Sequence, residues 1–268
     1  ITILNKDALK AAKKADIINK KNVKELPFGI PFVHKDAFCV EKKTTTCSSK
    51  MLKKFSPNYS ATIHKKLIKN GFILLGKTNM DEFCMGCGGE KTIFSPTKNP
   101  WNINYSPGGS SSGSAVCIAE NLCPIATGSD TGGSIRQPAS YCGITAIKPT
   151  YGRISRYGLI SFAASLDHCG LFAKTAKDCA LILDTISGFD KSDLTTINQK
   201  ETQFLENINY KKEKTIIGVP KEFFTKLKDK NIYKKWEEII NLFISLKIKI
   251  KYINLKNLNL YTILYRIL

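Results

Sequence analysis

Apolar positions along the chain recur with two periods. Over Asp7–Lys20 (DALKAAKKADIINK) and Tyr59–Asn70 (YSATIHKKLIKN) they return at helical spacing, the second run stopping at a glycine, so both predict surface helices. Short apolar runs predict buried strands at Gly71–Gly76 (GFILLG), Pro124–Gly128 (PIATG), Thr215–Val219 (TIIGV) and Ile248–Ile253 (IKIKYI). Helical stretches at Thr175–Ser187 and Tyr233–Leu246 alternate with these strands. Such alternation predicts an α/β layered fold with a mixed or parallel sheet. There is no internal repeat.

Two segments interrupt the pattern. Ile93–Gly113 is rich in Ser, Pro, Asn and Gly, and Gly128–Pro138 gathers Gly, Ser, Thr and Asp around Ser134. Loops this long inside a compact domain are usually functional or disordered, and the apolar runs bracketing the second favour function. The stretch Lys226–Leu268 is weakly defined, with much Lys, Ile and Asn. With a first residue that is Ile rather than Met, it points to a fragment or a shortened reading frame.

Composition narrows the function classes. A formal charge of +19 invites a nucleic-acid reading, because basic surfaces release counterions from phosphates. Yet only Arg136, Arg153, Arg156 and Arg266 are arginines among the 41 basic residues, and arginine is the better phosphate ligand. The Lys, Ile and Asn excess fits a coding sequence rich in A and T. No apolar run approaches the roughly 20 residues that cross a bilayer, so a membrane partner is not expected. The nine cysteines sit in apolar surroundings, as small buried hydrophobes do in a reducing compartment. Cys84-Met-Gly-Cys87 is a lone C-x-x-C with three histidines in the whole chain, so no metal site is expected.

The loops carry the candidate chemistry. Gly108-Gly-Ser-Ser-Ser-Gly-Ser114 offers hydroxyls and backbone N–H groups but lacks the lysine of a phosphate-binding P-loop. Gly109–Gly113 formally matches a nucleophile elbow around Ser111, which would need Asp167 and His168 as partners. Thr131-Gly-Gly-Ser134 places two glycines before a serine, so that successive N–H groups can converge on one point beside a nucleophile, or simply make a tight turn. In Gly29-Ile-Pro-Phe-Val-His-Lys35-Asp36 a lysine ends an apolar strand. Burial there disfavours its charged form and would suit it to act as a base.

These three segments, in this order and spacing, resemble the amidase-signature family: GIPxxxKD, then GGSS, then DTGGSIRQPA. Further runs resemble the A subunits of tRNA-dependent amidotransferases: Asn79-Met-Asp-Glu-Phe-Cys-Met85-Gly86, Tyr141-Cys-Gly143, Lys148-Pro-Thr-Tyr-Gly-Arg153, Ser165-Leu-Asp167 and Ile217-Gly-Val-Pro-Lys-Glu222. The match is strong over residues 26–188 and weak over 226–268.

The resemblance implies one amidase-signature domain over 1–268, with a mixed β-sheet core covered by helices on both faces and the C-terminal part of the family fold absent. It implies a triad in which Ser134 attacks the side-chain amide of glutamine, Ser110, preceded by a cis peptide, relays the proton, and Lys35 receives it. Thr131, Gly132 and Gly133 would supply the oxyanion hole. Met85, Gly86, Ser111 and Asp130 would lie on the substrate side, Asp130 also bracing the loop with Arg136. No cofactor is implied in this chain, ATP and Mg²⁺ belonging to a partner B subunit. The implied partners are the B and C subunits of a heterotrimer, glutamine and mischarged tRNA, in a bacterial-type cytoplasm or an organelle of bacterial descent. A stand-alone amidase, or a truncated subunit that only binds partners, are the competing readings. The chain departs from the family at Ser112, usually Gly, at Gly88-Gly89, usually Ser-Thr, at Leu171, commonly Pro, and at His34, usually aliphatic and here expected to be structural.

Overall fold

The structure, a computed structural model, describes residues 2–3, 5–21, 29–198, 203–209, 215–226 and 228–267. The chain divides into two compact units, 1–205 and 206–268.

The first unit is built on a six-stranded sheet. Its strands are β1 (Thr2–Ile3), β2 (Pro31–Lys35), β3 (Ile73–Thr78), β4 (Ile125–Asp130), β5 (Thr145–Ile147) and β6 (His168–Ala173), in the order β1-β3-β2-β4-β6-β5. Strand β2 lies parallel to both β3 and β4, whereas β1 on β3, β6 on β4 and β5 on β6 are antiparallel. The sheet is therefore mixed, as the alternation of runs predicts.

Because side chains alternate across a strand, each strand feeds two cores. Phe32, Leu74, Ile125 and Leu171 meet helix α2 (Thr62–Lys69) through Ile63 and Leu67, and helix α5 (Ala176–Ile186) through Ile182 and Leu183. Their neighbours Val33, Ala126 and Phe172 pack with Ala115 and Ile118 of α3 (Ser112–Ala119) and Ala139 of α4 (Arg136–Cys142). Helix α1 (Asn5–Lys21) adds Ala8 and Ala15 against Ile73. Helices thus cover both faces, and the two loops of interest open onto the face of α3 and α4.

Two strands outrun their apolar sequence. β3 continues through Lys77 and Thr78, and β4 through Ser129 and Asp130, because these polar residues are buried with partners. Lys77 Nζ lies 2.7 Å from Asp36 Oδ1 with both side chains out of solvent. The Tyr59–Asn70 helix starts later than expected, at Thr62, since Ala61 is extended.

The second unit pairs β7 (Ile216–Pro220) with β8 (Lys249–Ile253) in parallel, alongside α6 (Lys221–Lys226), α7 (Lys230–Ser245) and α8 (Leu258–Ile267). Asp229 caps α7 by accepting from the N–H groups of Asn231 and Ile232. The strands expected at 215–219 and 248–253 form but are not buried as predicted. Ile216 and Tyr252 are more than half exposed, because a two-stranded ribbon covers little of its own surface. Among the described residues no helix is long and apolar enough to cross a membrane.

Candidate active site

Strand alternation sends Lys35 to the same face as Val33, where the turn before α3 and the turn after β4 converge. Its side chain is fully buried, and Nζ donates to Ser110 Oγ at 2.7 Å, to Ser129 Oγ at 2.9 Å and to the Ser129 carbonyl at 3.4 Å. None of these partners is a carboxylate. Lys77, the other lysine buried in this sheet, instead faces Asp36; burial pulls its pKa down against the opposing pull of that carboxylate.

Ser110 is also fully buried, and the Gly109–Ser110 peptide bond is cis, as the resemblance implies. Around it the backbone is fastened on three sides. The N–H of Asp81 donates to the Ser110 carbonyl at 3.1 Å, the N–H of Ser111 to the Ser134 carbonyl at 3.2 Å, and the N–H of Gly109 to Gln137 Oε1 at 3.1 Å. Gly109 has to lack a side chain, since a Cβ would run into the Asp81 carboxylate. Asp81 is buried and accepts in turn from the N–H groups of Gly89 and Lys91, both at 3.1 Å, so it ties the 81–91 loop to the serine.

The Thr131–Ser134 turn is held by Asp130. Its Oδ1 accepts from the N–H of Gly133 at 2.8 Å and from Arg136 Nη2 at 2.9 Å. Its Oδ2 accepts from the N–H groups of Ile135 and Arg136, at 3.0 and 3.2 Å, and from Arg136 Nε at 3.1 Å. Burial by itself would raise the Asp130 carboxyl, but these hydrogen bonds and the guanidinium charge outweigh it and hold the group below the usual carboxylate range. On the other side Thr131 donates its hydroxyl to Asp167 Oδ1 at 2.5 Å. Asp167 also accepts from Ser161 Oγ and from the N–H groups of Phe162 and Ala163.

Several expected roles change on this geometry. The Gly133 N–H is committed to Asp130, which removes it from an oxyanion hole, whereas the N–H groups of Thr131, Gly132 and Ser134 have no hydrogen-bond acceptor among the described residues. Asp130 is a brace with both carboxylate oxygens occupied, not a substrate ligand. Ser111 is likewise withdrawn, being fully buried with its hydroxyl donated to the Ser129 carbonyl at 3.2 Å. That bond also removes the nucleophile-elbow reading, as does His168, whose Nδ1 pairs with the Leu166 carbonyl at 2.6 Å. Met85 is half exposed and Gly86 packs on Asp81, both within the loop fastened to Ser110. Ser134 is buried, and no hydrogen bond joins its hydroxyl to that of Ser110 among the described residues. Hydrogen bonds of a catalytic set are often long until substrate is bound.

Among the described residues no group of three His, Cys, Asp or Glu is placed to hold a metal ion. Ser129 carries no motif signal of its own, only that of its neighbour Asp130, and Asp81 lies within the Asn79–Gly86 run, which by itself assigns it no role.

The Amidase family model matches residues 1–268. The chain belongs to the amidase family. Its curated relatives include the A subunit of the glutamyl-tRNA(Gln) amidotransferase of Marinomonas sp. (strain MWYL1), 45% identical over 260 residues, which are 97% of this chain and 54% of that protein. The corresponding A subunit of Legionella pneumophila (strain Corby) is 47% identical over 256 residues, 96% of this chain and 53% of that protein. Among solved structures, the glutamyl-tRNA(Gln) amidotransferase A subunit from Thermotoga maritima superposes with a TM-score of 0.86 at 35% identity, covering 98% of this chain and 61% of that one. The native peptide amidase from Stenotrophomonas maltophilia gives 0.87 at 30% identity, covering 97% and 55%. The chain spans about half the length of the curated relatives it matches.

Two departures of this amidase-family chain from the usual pattern meet in space. Ser112 opens α3 with its hydroxyl donated to Thr97 Oγ1 at 3.0 Å, and a Cβ on Gly89 would collide with the Ser112 Cβ. Gly89 also sits at φ +74, which favours glycine. The serine in α3 and the glycine in the facing loop fit as a pair. A further departure, His34, points to the opposite face of β2 and is fully buried against Phe32 and Phe38.

Proposed function

We propose that this chain is the glutaminase subunit of a tRNA-dependent amidotransferase, with Ser134 as nucleophile, Ser110 as relay and Lys35 as base. The observation that carries this reading is the 2.7 Å contact between Lys35 Nζ and Ser110 Oγ, both buried, with no carboxylate paired to the lysine among the described residues. Nζ lies within hydrogen-bond reach of the serine hydroxyl, the geometry a base needs to take its proton.

In the reaction Ser134 Oγ attacks the carboxamide carbon of glutamine while its proton moves to Ser110, whose own proton passes to Lys35 Nζ. The N–H groups of Thr131 and Gly132, held in place through Asp167 and Asp130, donate to the developing oxyanion. The same relay returns the proton to the amide nitrogen, the C–N bond breaks, and ammonia leaves a glutamyl ester on Ser134. Water then attacks that ester, with Lys35 and Ser110 again carrying the proton, and glutamate is released.

The ammonia serves amidation of Glu-tRNA(Gln), Asp-tRNA(Asn) or both, on partner B and C subunits in the cytoplasm, where ATP and Mg²⁺ bind the B subunit. Fold does not separate this from a stand-alone amidase, because TM-scores to the two kinds of protein are 0.86 and 0.87. Sequence favours the subunit reading: among solved structures the identity is 35% to the amidotransferase subunit and 30% to the peptide amidase, and curated amidotransferase subunits reach 45% and 47%.

The test is ammonia release from glutamine by the chain co-expressed with its B and C partners. Ser134→Ala and Lys35→Ala are each expected to lower the rate by roughly 10³-fold or more. Release at the wild-type rate in either variant, or none from an assembled wild-type complex, sinks the proposal.

A further inference from the structure

The face of the sheet opposite Lys35 carries a second polar system inside an apolar wall. A cavity of about 380 Å³ lies between α1, α2 and β3, lined by Ala8, Ala11, Ala15, Phe72 and Leu74, with the Asp7–Lys43 ion pair and Lys14 also on its wall. This is toward the small end of ligand sites, which run roughly 300–1,000 Å³. One further polar side chain on that wall is His64.

The proton positions follow from the partners. Thr127 is fully buried, and its Oγ1 accepts from the backbone N–H of Lys35 at 3.3 Å. Among the described residues the one acceptor in reach of its own proton is His34 Nδ1, at 2.8 Å, and a buried hydroxyl proton left without an acceptor is costly, which assigns the proton to that contact. Both imidazoles are neutral at pH 7, burial being the first cause in each: His34 lies well below the ordinary histidine value, and His64 is lowered to about 4. His34 therefore carries its proton on Nε2 and donates it to His64 Nδ1, 3.1 Å away. That leaves the His64 proton on Nε2, on the side of the ring turned from His34 and without an acceptor among the described residues.

The geometry points to a ligand site in this cavity for a small apolar molecule bearing a carbonyl oxygen, which accepts from His64 Nε2–H while its body fills the space between α1 and β3. A neutral carbonyl suits the site, because Lys43 is already paired with Asp7, Lys14 is exposed to water, and a carboxylate would have only an uncharged imidazole donor to offset its desolvation. The hydrogen-bond sequence from His64 to His34 to Thr127 to the Lys35 N–H joins the cavity to the strand that carries Lys35. Occupancy is therefore felt at that backbone position. The inference stands independently of the glutaminase reading, since it uses neither serine.

The probe is 4-phenyl-2-butanone, a ketone that has no amide bond to hydrolyse, titrated into the ¹⁵N-labelled 268-residue chain at pH 7.5. Saturable shifts are expected in the imidazole nitrogens of His64 and His34 and in the Lys35 amide. His64→Phe, which keeps the ring but loses the donor, is expected to weaken binding about tenfold. Ala11→Phe, which fills the cavity, is expected to abolish it. The absence of a saturable His64 shift in wild type overturns the site. So does an undiminished titration in a folded Ala11→Phe variant, or a titration that moves the Ser110 and Thr131–Ser134 loops instead.

Discussion

Lys35 Nζ and Ser110 Oγ stand 2.7 Å apart, and Ser129 Oγ takes a second hydrogen bond from the same nitrogen at 2.9 Å. The lysine is thereby aimed by one acceptor that the proposed relay uses and one that it does not. Ser129→Ala removes the second and leaves the first. Losing one hydrogen bond to a buried amine is expected to cost about 1–3 kcal/mol in the protonated state it must reach, a fall in kcat of about 5- to 150-fold. KM should stay near the wild-type value, because the Ser129 hydroxyl is buried away from the substrate side. Steady-state ammonia release separates the two parameters, and a change in KM alone would contradict the positioning argument.

Asp130 accepts five hydrogen bonds from Gly133, Ile135 and Arg136, and the turn bearing Ser134 is closed by that one carboxylate. Asp130→Ala leaves several N–H groups without an acceptor in a buried setting, so a loss of about 2–4 kcal/mol in stability is expected. Arg136 is more exposed, its side chain at 58%, and water can replace part of what Arg136→Ala removes. That variant should lose no more than about 1–2 kcal/mol. Urea denaturation of the two variants gives the order; equal losses would mean that the guanidinium, rather than the backbone donors, is what the carboxylate holds.

Gly109→Ala tests the tightness around Ser110. An added Cβ meets the Asp81 carboxylate and the backbone at Cys87 and Gly88, none of which can move without breaking the Asp81 bonds to Gly89 and Lys91. The expected result is a folded chain, since the main cores are elsewhere, with hydrolysis down at least about tenfold and stability lowered by about 1–3 kcal/mol. Wild-type activity in this variant would show that the 81–91 loop does not position the serine.

The apolar period made the layered fold legible, whereas the meeting of Lys35 and Ser110 was implied only by the resemblance of three segments, in order and spacing, to the amidase signature; the glycine-serine runs by themselves left a tight turn open as a reading. What sequence missed lies where polar residues behave as core. Lys77 and Asp130 belong to strands whose apolar pattern stops earlier, since a buried charge is legible only with its partner, Asp36 or Arg136, and the partner comes from another element. Helix α4 was hidden by Pro138 and α3 by its Ser-Gly start, although both fit here, the first turn of a helix tolerating proline. The commitment of the Gly133 N–H to Asp130 was equally invisible, because spacing reveals which donors are near but not which are already taken. Leu171, in place of the common proline, is a fully buried β6 residue paired with Thr127, where proline would bring no N–H to the ladder.

The buried imidazoles set the last expectation, a loss of stability in mild acid. His34 and His64 are neutral in the fold, and charging either is opposed first by burial; Lys77 adds to both, and His64 adds to His34. An unfolded histidine titrates near 6.5, so between that value and about 4 the unfolded chain binds the extra protons and the folded chain resists them. Stability is then complete above about pH 6.5 and falls as pH drops toward 4, by on the order of 3 kcal/mol for His64 alone. His168, also lowered by burial, acts in the same direction, whereas Asp130, Asp190 and Asp193, held below the ordinary carboxylate value, weaken the fold only at lower pH. Urea midpoints measured at pH 7.5, 6.0 and 5.0 should therefore decline in wild type. In a His34→Leu/His64→Leu chain the decline should shrink by more than half, even if its stability at pH 7.5 is lower because Thr127 has lost its acceptor. A midpoint that does not vary with pH in wild type, or a slope unchanged in the double variant, would show that the pair is not buried as a neutral, hydrogen-bonded unit.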